Sequence, residues 1–241
     1  MKSSLAVILS FVIVLSAAAA FASSQPVGGV ATAECGKVEL SAGYFYSKDK
    51  WEFDRLNAEP KVETNLYYGQ IGYGVAPGWD IYLRAGGMDA QGQGELGIDS
   101  DTKFFASAGF HGRLFQYAPW NLSFGPIGNF AYYENLSDRR TIGGTYQKLE
   151  LKDHYSADIG FGFQWQPTPW MTLFGGPFYH WDTAKLEYTR GNLSGDEDVN
   201  TKTSFGPRFG VNFKLGKNAW LQIEGQSREY VSGGASIGIN F

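Results

Sequence analysis

Residues 154–170 read His154-Tyr155-Ser156-Ala157-Asp158-Ile159-Gly160-Phe161-Gly162-Phe163-Gln164-Trp165-Gln166-Pro167-Thr168-Pro169-Trp170. Tyr155, Ala157, Ile159, Phe161, Phe163 and Trp165 form one series, while Ser156, Asp158, Gly160, Gly162, Gln164 and Gln166 form the other. A strict period of two puts the two series on opposite faces of a β-strand. Bulky apolar residues on one face and small or polar ones on the other suit a strand with lipid outside and a polar interior. The run stops at Thr168-Pro169-Trp170, a tight turn in which proline presets the backbone.

Three further stretches repeat that turn: Ala76-Pro77-Gly78-Trp79, Ala118-Pro119-Trp120 and Lys217-Asn218-Ala219-Trp220. Each hands over at a Trp to an apolar-alternating run, and they recur about 40 to 50 residues apart. The chain therefore repeats a hairpin followed by a longer excursion. An indole ring favours a site with an apolar body and a wet N–H, which describes a membrane–water boundary. Trp79, Trp120, Trp165, Trp170 and Trp220 are accordingly expected to form an aromatic girdle on the rim of short turns.

Extending the alternation along the chain predicts about ten strands, near 37–47, 62–75, 79–88, 103–115, 120–133, 154–166, 170–182, 203–215, 220–230 and 232–241. Pro126 falls inside the fifth and calls for a local bulge, because proline lacks a ladder donor. Short and long connections alternate, the strand count is even, and an open sheet edge in lipid would leave backbone groups unpaired. The expected fold is all-β: a closed up-and-down antiparallel transmembrane β-barrel with short periplasmic turns and longer extracellular loops. The charged excursion at 48–55, residues 89–101 and the stretches around 138–153 and 182–200 are read as those loops.

At the N-terminus, Lys2, an apolar run from Leu5 to Leu15 and the triplet Ala20-Phe21-Ala22 read as a secretory signal peptide over 1–22. Residues 23–35 are expected as a periplasmic leader and 36–241 as the barrel. Beyond the signal no stretch approaches 20 apolar residues, so no transmembrane helix is expected. Mean hydropathy is negative, but a barrel's polar lumen cancels its apolar exterior in such an average. With 32 Gly and 16% aromatic residues, the composition fits a barrel. The single Cys35 cannot form an internal disulfide, and a net charge of −4 supplies no basic footprint for nucleic acid.

The last strand, Ala235-Ser236-Ile237-Gly238-Ile239-Asn240-Phe241, alternates and stops on an aromatic. It resembles the C-terminal signal of bacterial outer-membrane barrels, and the resemblance implies that Phe241 is read by the barrel-assembly machinery. In architecture the chain resembles the small barrels grouped with OmpA and the opacity-type proteins, with two strands more than their usual eight. The omptin proteases share the count of ten.

The charged positions expected on the inward face are Glu39, Asp80, Arg84, His111, Arg113, Asp158, Arg208, Lys214, Glu224 and Arg228. Mixed signs allow a neutralising network that plugs the lumen or the lining of a narrow solute pore. Inward glycines such as Gly43, Gly109, Gly160, Gly210 and Gly238 leave room for side chains or for water. A ten-strand barrel is little wider than the size side chains can fill, which excludes a wide porin.

Catalysis has few candidates. His180 and Asp182 share a face near the outer rim, where an omptin-like protease would carry its acid and Asp–His pairs. Asp153 and His154 point to opposite faces. No Ser–His motif of a lipid A deacylase is present, and no cofactor is expected. Asp196-Glu197-Asp198 could gather cations bridging lipopolysaccharide phosphates, and Arg139-Arg140 could meet those phosphates directly. Outer-membrane lipid and lipopolysaccharide are thus the expected surroundings. The function expected is a structural envelope barrel or narrow small-solute channel; the alternative is a surface enzyme or a loop-mediated adhesin.

Overall fold

The alternating run around Ile159 forms the middle of a 24-residue strand, Thr145–Thr168, in the computed structural model of the chain. The structure describes residues 25–26, 28–29, 33–53, 61–93, 100–142, 145–190, 193–201 and 204–241. The expected signal peptide, 1–22, lies outside the described residues. In chain order the strands are β1 (Val38–Phe53), β2 (Lys61–Ala76), β3 (Trp79–Gln93), β4 (Lys103–Gly112), β5 (Phe115–Tyr117), β6 (Leu122–Tyr133), β7 (Leu136–Ile142), β8 (Thr145–Thr168), β9 (Met171–Arg190), β10 (Leu193–Thr201), β11 (Phe205–Lys214), β12 (Ala219–Ser227) and β13 (Val231–Asn240).

Ten of them close a ring, β1-β2-β3-β4-β6-β8-β9-β11-β12-β13, sealed by β13 against β1 and by β8 against β9. Every named pairing is antiparallel, so the ring leaves no edge to face lipid. Pro126 is accommodated across the ladder. It pairs regularly with Phe161 of β8, while on its other side five residues from His111 to Phe115 face four from Ile127 to Phe124. The bulge is in the neighbour, opposite the missing N–H.

Two of the expected outer loops are strands. β7 pairs with the upper part of β8, Leu136 opposite Leu151. β10 pairs with the upper part of β9, Asn200 opposite Thr183. The apolar residues of these segments (Leu136, Leu151, Ala184, Leu186 and Val199) are all buried, which is why they extend the barrel instead of looping above it. The last outer connection does the reverse: between β12 and β13 only residues 228–230 turn the chain. β10 passes above this short hairpin and pairs with β1, Trp51 opposite Thr201. Thus β1 changes partner between Tyr46, paired to Gly233 of β13, and Trp51.

The apolar core sits in this outer extension. Phe45, Trp51, Val62, Leu66, Met88, Phe105, Leu136, Leu151, Leu186 and Val199 pack together inside it. Lower down, the apolar side chains face outward instead, including Ile71, Tyr73, Ile81, Leu83, Phe130, Ile159, Phe161, Phe209 and Ile237. Crossing the hydrocarbon takes about 9–11 tilted residues; β2 has 16 and β8 has 24, so the surplus stands outside the bilayer.

Candidate functional site

The lower interior is polar. Asp80 lies 2.6 Å from His111, whose ring stacks on Tyr82 at 5.0 Å. Arg84 donates twice to the Gln70 side chain, at 2.6 and 3.1 Å, and its guanidinium covers the rings of Tyr68 and Tyr82 at 4.5 and 5.0 Å. Arg208 is fully enclosed and lies 6.0 Å from the ring of Phe174. Several inward glycines lie under these rings. A Cβ on Gly109 would collide with Tyr82, one on Gly210 with Phe174, and one on Gly238 with Trp220. The glycine lining makes space for side chains.

The segment expected as a periplasmic leader enters this interior. Gln25 is fully buried; its amide donates to the Tyr133 hydroxyl at 3.0 Å and accepts from Arg84 at 3.2 Å and Asn129 at 3.4 Å. Its backbone carbonyl accepts from Gln226 at 2.7 Å. Gly28 donates its N–H to Glu224 at 2.8 Å and accepts from Arg208. Ala33 donates to Asp80 at 3.1 Å. Without side chains at 28 and 29, the backbone can approach the wall and add hydrogen bonds to its buried charges. Below it a cavity of about 230 Å³ opens at the lower mouth, between Glu34, Glu39, Gln164, Lys217 and Trp220.

A chain of histidines and aspartates crosses the level where polar interior gives way to apolar core. Asp158 lies 2.7 Å from His180 Nδ1, and Asp182 lies 2.7 Å from His154 Nε2 and 3.8 Å from His180 Nε2. Register explains it: β8 and β9 pair Asp158 with His180 and Ser156 with Asp182. His154 keeps the inward phase of Ser156 and Asp158, and a register shift between Lys152 and Tyr155, with Asp153 at φ +50°, lets Leu151 above it face inward as well. His154 stacks on Tyr133 at 4.2 Å and meets Trp51 edge-on at 5.8 Å. Asp49 joins from β1, held by Arg228 at 3.0 and 3.1 Å.

Of the inward positions read from the sequence, Glu39, Asp80, Arg84, His111, Asp158, Arg208 and Glu224 are buried in the interior, and the Arg228 guanidinium is enclosed at the partner switch of β1. Two lie elsewhere. Arg113 is half-buried beyond the end of β4, its N–H on the Gly78 carbonyl at 2.7 Å. Lys214 ends β11 and is exposed at the lower mouth.

Trp120, Trp165 and Trp170 face outward and are exposed, and Trp79 stacks on Phe110 at 6.5 Å. Trp220 departs from the expected girdle: it is 7% exposed and points inward. Its parity explains this, since it alternates with the outward Leu221 and Ile223. Phe241 is exposed and donates its N–H to the Val38 carbonyl at 2.9 Å, continuing the β13–β1 seam.

Asp196, Glu197 and Asp198 do not converge. They lie on β10, with Glu197 buried inward and Asp196 paired outward to Lys185 at 3.2 Å. Arg139 is exposed on β7. Sequence reasoning missed Asp49, placed in a charged excursion, and the convergence of His154 with His180. The inward phase of His154 on β8 was the available signal.

No protein-family model and no curated protein matches this sequence. Among solved structures, the outer membrane protease OmpT from Escherichia coli is similar with a TM-score of 0.51 at 10% identity, over 85% of this chain and 96% of that one. The translocator domain of the autotransporter NalP from Neisseria meningitidis has a TM-score of 0.51 at 11% identity, over 86% and 88%. The fold is that of the bacterial outer-membrane barrels.

Proposed function

We propose that this protein is a bacterial outer-membrane barrel that serves the envelope as a closed structural component rather than as a conduit. The observation that carries this reading is the filled interior. The N-terminal segment around Gln25 and Gly28 is bonded to opposite walls, and the apolar core closes the outer end above it. A hydrated ion cannot cross a packed apolar layer without losing its water.

On this reading residues 1–22 export the chain, the final strand ending at Phe241 engages the barrel-assembly machinery, and the exposed outer charges face lipopolysaccharide. Planar-bilayer recording of the purified barrel tests it. No stepwise current above the detergent background is expected; a reproducible unit conductance overturns closure in favour of a narrow solute channel.

The buried His–Asp chain does not favour the protease alternative, because His180 is only 1% exposed and offers a peptide no approach. Incubation with peptides and lipopolysaccharide is expected to leave both intact. Cleavage that disappears in His180→Ala would reinstate the enzyme reading.

A further inference from the structure

We propose that Asp49, His180 and Asp182 form a buried site for one divalent transition-metal ion, Zn2+ or Mn2+, at the level where the polar interior meets the apolar core. One potential ligand atom from each residue lies within 4.8 Å of the other two, and all three residues are buried.

The independent observation is His180 Nε2. It belongs to a side chain 1% exposed and has no hydrogen-bond partner among the described residues. It faces the Asp182 carboxylate at 3.8 Å, too long for a hydrogen bond. Two ligands on one ion, each bonded at about 2.0–2.2 Å, stand roughly 3–4 Å apart.

The surrounding groups hold these ligands in that orientation. Asp158 accepts from His180 Nδ1 at 2.7 Å, which leaves Nε2 as the ring atom turned toward Asp182. A carboxylate behind a ligating imidazole is the usual support in metal sites. His154 holds the other oxygen of Asp182 at 2.7 Å, and Arg228 holds Asp49.

Without a metal ion, and with His180 neutral, a nitrogen lone pair and a carboxylate would confront one another away from water. The charges point the same way. Asp49, Asp158 and Asp182 against Arg228 leave two negative charges if both imidazoles are neutral, and a divalent ion cancels them. One imidazole with two carboxylates suits Zn2+ or Mn2+ better than Ca2+, which takes six to eight oxygens. Protonation of both histidines would also neutralise the cluster, so the experiment must separate proton from metal.

The tag-free barrel is unfolded in urea with a chelator, then refolded in detergent with Zn2+, Mn2+ or Co2+ and freed of excess ion. Atomic spectroscopy is expected to find about one Zn2+ or Mn2+ per folded chain, and Co2+ is expected to develop visible d–d bands of a nitrogen–oxygen site. In folded Asp49→Asn and His180→Gln, retention should fall at least tenfold and the bands should vanish. Asp158→Asn, which removes the support behind His180 and one of the negative charges but no ligand, should weaken binding about 10–100-fold.

A folded wild-type barrel without stoichiometric metal and with a featureless cobalt spectrum overturns the proposal. So does equal retention in folded Asp49→Asn and His180→Gln. If His180→Gln does not fold, the wild-type spectrum and Asp49→Asn, whose residue lies off the β8–β9 ladder, still decide.

Discussion

Along β2 a single inward phase runs from the outer end to the inner turn, yet the two halves of the strand obey opposite rules. At the outer end Val62 and Leu66 are buried inside, while Lys61 is exposed and Glu63 pairs outward with Lys48 at 2.5 Å. Toward the inner turn Tyr67, Ile71, Tyr73 and Val75 are exposed outside, and Tyr68, Gly72 and Gly74 face in. The pleat is unbroken; only the surrounding solvent changes. The outer extension is built like a water-soluble barrel, apolar within and charged without, whereas the part below it has lipid outside and polar groups within.

β8 and β9 invert at the same level. Leu151 and Leu186 are inward above it, while Asp158 and His180 are inward below it. An outer belt of rings marks the change, with Tyr44 and Tyr67 at 5.1 Å, Tyr132 and Tyr155 at 5.4 Å, and Tyr179 and Trp181 at 4.3 Å. These are aromatic side chains where water meets lipid. The His–Asp chain sits just inside this belt.

The contrast can be broken from either side. The largest effect is expected from the polar interior. Glu224 accepts from Gly28 and Gln226, both at 2.8 Å, and Glu224→Ala strands buried donors, costing about 3–5 kcal/mol in equilibrium refolding into vesicles. A cost under about 1 kcal/mol would mean that water replaces the carboxylate and that the interior is wet.

Next comes the lipid face. Leu83 is 62% exposed, and Leu83→Arg should cost about 2–4 kcal/mol if that exposure is to hydrocarbon. The same refolding assay finding no cost would place Leu83 in water and move the boundary. In the outer core, Val62→Ala should cost about 2 kcal/mol, from two lost methyls and the cavity they leave. A neutral outcome would mean the extension is not packed.

The smallest effect belongs to the outer charges. Glu150 accepts a hydrogen bond from Lys148, and this holds its carboxyl below the ordinary value. A carboxyl lowered in the fold contributes stability at neutral pH that fades as pH falls from the ordinary value of about 4 through the lowered one. At this half-buried outer position, where water still screens the pair, the contribution should leave the unfolding temperature unmoved. An NMR titration is expected to give Glu150 a lower midpoint than in Lys148→Ala; identical midpoints would dissolve the pair.

Much of this was readable in the chain. Leu221 and Ile223 outward with Glu224 inward follow from period two alone, and the same parity already placed Trp220 inside, against the girdle suggested by its turn. The outer extension was less legible. Leu149, Leu151, Ala184 and Leu186 alternate, but among charged residues their run resembles a loop until β7 and β10 supply partners. The short turn at 228–230 carries no sign that β10 will pass above it to reach β1.

The amino-acid sequence by itself determined that strands form, which face of most of them meets lipid and that the sheet closes, because period-two alternation is local and lipid forbids an open edge. The seventh expected strand, near 170–182 and bulky on both faces, gave no phase. Only the tertiary structure decided that Gln25 and Gly28 fill the interior and that Asp49, His154, His180 and Asp182 converge. Those contacts depend on which strands become neighbours when the ring closes, and on the point where β1 exchanges β13 for β10. No strand carries that information in its own alternation.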